Sequence, residues 1–109
     1  MTPGSLHDHA RGASRILKAM ANERRFIILS HLADGELSVG ELENRLGISQ
    51  SALSQHLARL RNDRLVTPRR SAQNIYYSLQ GNEARAIMGL LHDLIGIDEP
   101  GREARAFSI

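Results

Sequence analysis

The stretch from Leu46 to Asn62 admits few structures. Gly47 interrupts one helical pattern and Ser49 stands where a new helix needs its N-cap, so two helices must meet across a very short turn. Beyond the turn, Leu53, Leu57 and Leu60 recur at i, i+4 and i+7, the spacing of a single apolar stripe. Ser51, Gln55, Ala58 and Asn62 fall on the opposite face, with Ser54 and Arg59 at its flanks. That outward face carries no carboxylate, although a solvated helix face ordinarily mixes Glu with Lys. Its amides, hydroxyls and guanidinium are the groups that hydrogen-bond base edges and phosphates. The pattern is that of a helix-turn-helix whose second helix enters a major groove.

Charge supports this reading only once it is located. The whole chain has a net charge of +2, yet from Arg45 to Asn74 six arginines face one acid, Asp63, for +5. The other residues sum to −3, so positive charge gathers on the segment that holds the motif. Such clustering is the electrostatic footprint of phosphate binding.

The flanking sequence supplies a frame. The spacing predicts an amphipathic helix over 6–20, with Leu6, Ala10, Ala13, Leu17 and Met20 on one side and Arg11, Arg15 and Lys18 on the other. Asn22 is placed to cap a second helix, in which Phe26, Ile28, Leu29, Leu32 and Ala33 form an apolar face and Gly35 supplies a left-handed stop. Ser38 followed by Glu41 has the spacing of a capping box, opening a third helix with Val39, Leu42 and Leu46 inward and Ile48 plugging the turn. After Asp63, residues 64–70 and 75–79 read as two strands around a 71–74 turn, with Pro68 restricting the first to a sheet edge. With one hairpin available, this wing must lean on the helices. A last helix opens at Asn82 and runs to about Gly96, its apolar face built from Ile87, Leu90, Leu91, Leu94 and Ile95.

The expected architecture is mainly α with a small β-hairpin: one winged helix-turn-helix domain over 1–109, with 1–5 and 98–109 as loose tails. The helices at the two ends carry more apolar surface than so small a core can cover. Leu6, Ala10, Ala13 and Leu17, with Ile87, Leu90, Leu91 and Leu94, are therefore the candidate contacts of a homodimer.

Other function classes find little support. The 109-residue chain contains no cysteine, which excludes disulfides and thiolate metal sites. No run of apolar residues reaches the length of a membrane span, and the first ten residues lack a signal-peptide pattern, so the expected location is the cytoplasm. A glycine-rich phosphate loop, a nucleophile paired with a base and a cofactor box are all missing from the sequence, which argues against an enzyme.

The residues 17–25 (LKAMANERR), 37–42 (LSVGEL), 49–60 (SQSALSQHLARL), 65–66 and 75–79 (IYYSL) together resemble the ArsR (arsenic-repressor) family of bacterial winged-helix transcriptional repressors. Coverage runs from about residue 14 to 95, and the type it is most similar to is the cysteine-free rhizobial nodulation repressor. The resemblance implies a homodimer with the first and last helices at its interface, bound to an inverted-repeat operator of double-stranded DNA. It also implies limits. Ser38 and Gly40 stand where thiolate sensors of the family place cysteines, and the last helix offers only the adjacent His92 and Asp93 where zinc and cobalt sensors have spaced ligands.

The candidate DNA contacts are Gln50, Ser51, Ser54, Gln55, His56 and Arg59 on the recognition helix, and Arg69, Arg70, Gln73, Asn74 and Tyr76 on the wing. His56 lies on the shoulder of the apolar stripe, where a packed histidine is the simpler account. A second reading is a ligand-responsive sensor in which His7, Asp8 and His9 join His92 of another copy around a metal, releasing DNA. No resident metal or cofactor is expected from the residues themselves.

Overall fold

The computed structural model of the chain describes residues 3–96, and the expected tail at 98–109 lies outside them. The elements follow in the order α1 (Pro3–Met20), α2 (Glu23–Leu32), β1 (Leu37–Ser38), α3 (Val39–Leu46), α4 (Gln50–Asn62), β2 (Val66–Ser71), β3 (Asn74–Leu79) and α5 (Glu83–Ile95). Their helix boundaries are set by local hydrogen bonds that the sequence announces. The Asn22 side chain accepts the Arg25 N–H at 3.1 Å. Ser38 and Glu41 form the full capping box: Ser38 Oγ accepts the Glu41 N–H at 3.1 Å, and Glu41 accepts the Ser38 N–H at 2.9 Å. Gly47, at φ 64°, takes the left-handed conformation that ends α3, and Ser49 Oγ caps α4 by accepting the Ala52 N–H at 3.2 Å. Each cap satisfies a backbone group that a helix end leaves open.

One continuous core joins these elements. Ile28, Leu29 and Leu32 of α2, Leu42 of α3, and Leu53, Leu57 and Leu60 of α4 are buried together with Ala19, Met20, Leu37, Leu65, Val66, Ala84 and Met88. Val39, Leu46, Ile48 and Phe26 pack against its edge. The leucine stripe of α4 is thus spent inward, which forces the opposite face of that helix outward.

Several expectations need correction. The first helix begins at Pro3, so the segment up to Ser5 is not a loose tail throughout; a proline at the first helical position lacks only an N–H that would find no partner there. The sheet has three strands in the order β1-β3-β2, not a lone hairpin, because β3 has a free edge on which Leu37 and Ser38 pair with Tyr77 and Tyr76. Pro68 does lie in an edge strand. The hairpin closes over Ala72 and Gln73 alone, since Ser71 still pairs with Asn74, and the first strand starts at Val66 because residue 64 is still occupied in ending α4. Finally, α2 stops at Leu32 with a right-handed cap at Ala33, while Gly35 (φ 145°) works in the turn that follows. At α5 the Asn82 side chain makes no cap bond; the Glu83 carboxylate instead accepts the Asn82 N–H at 2.9 Å.

Candidate nucleic-acid interface

Because Leu53, Leu57 and Leu60 face the core, Ser51, Gln55, Ala58 and Asn62 are exposed on the far side of α4, as its helical period requires. Gln50 and Ser54 are exposed beside them. Ser51 Oγ lies 3.3 Å from Ser49 Oγ, at the start of the helix, where backbone N–H groups are turned toward solvent. An anion or a base edge meets hydrogen-bond donors and acceptors here, with no carboxylate along this exposed face.

One flank of α4 opens toward the sheet. Ser54, Ala58, Arg61, Asn62 and Arg64 line a groove whose other wall is Tyr77. Arg61 and Tyr77 also border the adjoining recess with Pro68, Arg70 and Ile75. Strand alternation explains the wall: Pro68 and Arg70 of β2 pair with Tyr77 and Ile75 of β3, so these four share one face. Three arginines, Arg61, Arg64 and Arg70, thereby converge on one concave surface. Arg61 and Arg64 were not among the candidates read from the sequence.

Arg64 holds its position at some cost. It has φ 63°, and its N–H bonds the Arg61 carbonyl at 3.0 Å while the Leu65 N–H bonds the Leu60 carbonyl at 2.9 Å. This is the Schellman pattern that ends a helix, with arginine in the position usually given to glycine. A charged side chain is retained where backbone sterics favour none.

Two candidate contacts are already engaged. Arg69 points to the other face of the wing, where its Nε and Nη2 bond the Glu36 carboxylate at 2.9 and 2.6 Å. Its guanidinium also lies 4.8 Å from the centre of the Tyr76 ring. This bidentate pair ties β2 across β3 to the segment before β1, and it holds the Glu36 carboxyl below the usual carboxylate range. Arg59 similarly donates from Nε to Asp63 at 2.8 Å, within one helical turn, and Asp63 is buried. Gln73 and Asn74 are exposed at the hairpin tip. His56 is half-buried; burial first, then the charges of Arg25 and Arg24, push its imidazole toward the neutral form.

The candidate dimer residues divide. Leu6, Ala10, Ala13 and Leu17 of α1 are exposed, as are Leu90 and Leu94 of α5. Leu91 is half-buried, and Ile87 packs partly against the core and borders an apolar cleft with Ala13, Ile16 and Leu17. Among the described residues, no group of three His, Asp or Glu is placed to hold a metal ion, and no helix is long and apolar enough to cross a membrane.

Comparison with known proteins identifies the family. Residues 22–67 match the model of the arsR family of bacterial regulatory proteins. The chain is similar to the transcriptional activator HlyU of Vibrio cholerae, 61% identical over 79 residues that span 72% of this chain and 73% of the relative. It is also similar to the nodulation protein NolR of Rhizobium meliloti, 45% identical over 103 residues that span 94% and 84% of the two chains. Among solved structures, the homodimeric winged helix-turn-helix DNA-binding domain of Mb0332 from Mycobacterium bovis superposes with a TM-score of 0.73 at 30% identity, over 85% of this chain and 88% of that one. The matched helix-turn-helix, the wing and the extent of identity all point one way: the chain belongs to the arsR family of bacterial regulatory proteins.

Proposed function

We propose that the protein is a homodimeric, sequence-specific DNA-binding repressor of the cytoplasm that occludes a promoter by occupying an inverted-repeat operator. The observation that carries this reading is the outward face of α4, polar and free of carboxylate, beside a groove holding Arg61, Arg64 and Arg70. Gln50, Ser51, Ser54 and Gln55 enter the major groove and read base edges, while Arg61, Arg64 and Arg70 take the phosphates alongside. Gln73 and Asn74 extend the reach of the hairpin tip. Arg69 and Tyr76 brace the wing. The exposed leucines of α1 and α5 support pairing with a second copy, as does the homodimeric state of the M. bovis neighbour. Two-fold symmetry then sets the half-sites about one helical turn apart, roughly 34–36 Å.

The test is a duplex selected from a randomised inverted-repeat library, titrated with the native protein and with Gln55→Ala. Removing a base-reading side chain costs about 1–3 kcal/mol and relaxes preference at one position of each half-site. Equal binding of selected and scrambled duplexes by the native protein overturns the reading. Adding zinc to the same titration examines the ligand-responsive alternative through His7, His9 and His92; operator affinity that falls as metal binds would favour it.

A further inference from the structure

We propose that the flank of α4 facing away from the wing, where Arg59 meets Arg11, Arg15 and Lys18 of α1, is a second phosphate-binding surface. It grips the operator backbone between the two half-sites. The proposal rests on the DNA-binding reading above and assigns residues that the reading does not use. Arg11, Arg15 and Lys18 stand at i, i+4 and i+7, on one face of α1, and with Ser14 and Arg59 they line a single open cleft. No carboxylate borders it. Among the described residues, ion pairs form at Arg59–Asp63 and Arg69–Glu36, and none involves the three α1 cations.

The neighbourhood is more positive still. Arg25 is anchored on the C-terminal carbonyls of α1, donating to Ala19 at 2.6 Å and Lys18 at 3.3 Å. Its guanidinium is pushed below the ordinary arginine range by burial and then by the charge of Arg59, an effect that Asp63 offsets only in part. Asp63 engages Arg59 alone, so the cleft keeps a positive potential that attracts an anion.

Duplex DNA is the anion that fits. The major groove is about 12 Å wide and bounded by two phosphate backbones, so a helix lying in it meets one backbone on each flank. The wing groove with Arg61, Arg64 and Arg70 serves one flank of α4; Arg59 and α1 serve the other. The exposed Leu6, Ala10, Ala13 and Leu17 stripe of the same helix is the proposed dimer contact, so the proposal sets α1 and its cations on the side of α4 nearer the two-fold axis. The phosphates they meet are those between the half-sites.

The experiment measures affinity of the full-length dimer for the selected operator against salt concentration, for the native protein and for a triple variant Arg11→Ala, Arg15→Ala, Lys18→Ala. All three side chains are exposed, and circular dichroism with sedimentation checks that fold and dimer persist. The log–log salt slope should become shallower by about 0.9 for each phosphate no longer neutralised, hence by about 2–3 for each protomer and about 5 for the dimer, with operator and scrambled duplex weakened by the same factor. Methylphosphonates at the central phosphates should reproduce this weakening in the native protein and add nothing to the variant. A folded, dimeric variant with an unchanged slope overturns the inference, as does full additivity with the methylphosphonates. In either case the native protein still prefers its operator; failure of that preference would instead indict the functional reading.

Discussion

Leucine meets two opposite fates in this molecule. Leu53, Leu57 and Leu60 of α4 are 0%, 3% and 0% exposed, whereas Leu6 and Leu17 of α1 are 58% and 55% exposed, and Leu90 and Leu94 of α5 are 60% and 68% exposed. Both sets repeat at helical spacing. The difference is that α4 is packed between α2, α3 and the sheet, while Leu6, Leu17, Leu90 and Leu94 stay largely open to solvent. One region is completed by its own chain, and the other presents the kind of surface that a second copy covers.

That contrast can be broken or sharpened by substitution. The largest effect is expected inside: Leu60→Ala removes a side chain with no solvent exposure and should cost about 2–5 kcal/mol, read as a lower urea midpoint. A cost near zero would mean that the central core is not closed. Next comes the double variant Leu90→Asp, Leu94→Asp, which should sediment as a monomer and lose at least about tenfold in operator affinity, one decade being about 1.4 kcal/mol. A variant that remains dimeric would show that these leucines are ordinary surface.

Arg64→Gly gives a smaller effect with two signs. Relief of the left-handed conformation should raise stability by up to about 1 kcal/mol, while removal of the charge weakens DNA binding. A variant no more stable than the native protein would mean that the turn imposes no strain.

Acid should produce the smallest change. The Glu36 carboxyl is held below its usual range by the hydrogen bonds from Arg69, and the Glu41 carboxyl by the Ser38 N–H and hydroxyl. Both groups have folded pKa values below their unfolded ones. Their contribution is therefore fully present above the ordinary carboxylate value of 4.5 and is lost as pH falls below it. Glu36→Gln should accordingly show a weaker dependence of the urea midpoint on pH over that acidic range; an identical pH profile would show that the wing clasp contributes nothing.

Much of this was legible in advance because it is local. Asn22, Ser38 with Glu41, Gly47 and Ser49 each act within three or four residues, so their spacing in the chain is already their geometry. The buried stripe of α4 follows from the helical period in the same way. The pairing of Arg59 with Asp63 was equally within reach, being an i,i+4 contact on that helix. Other features had no local signal. Two residues, Leu37 and Ser38, are too few to show a strand period, and they become a strand only because β3 offers them an edge. Arg69 and Arg70 are chemically identical neighbours, yet one is clasped by Glu36 and the other lines the groove.

The sequence by itself determined the helix-turn-helix, its caps, its apolar stripe and the polar helix face it turns outward, since all of these are set by interactions within a few residues along the chain. Tertiary structure alone decided that Arg69 is occupied by a distant carboxylate, and which arginines remain open beside α4. The Glu36–Arg69 clasp joins residues 33 positions apart, and the α1–α4 cleft brings together elements distant in sequence. Such encounters depend on how the core aligns the elements, and residue spacing carries no record of that alignment.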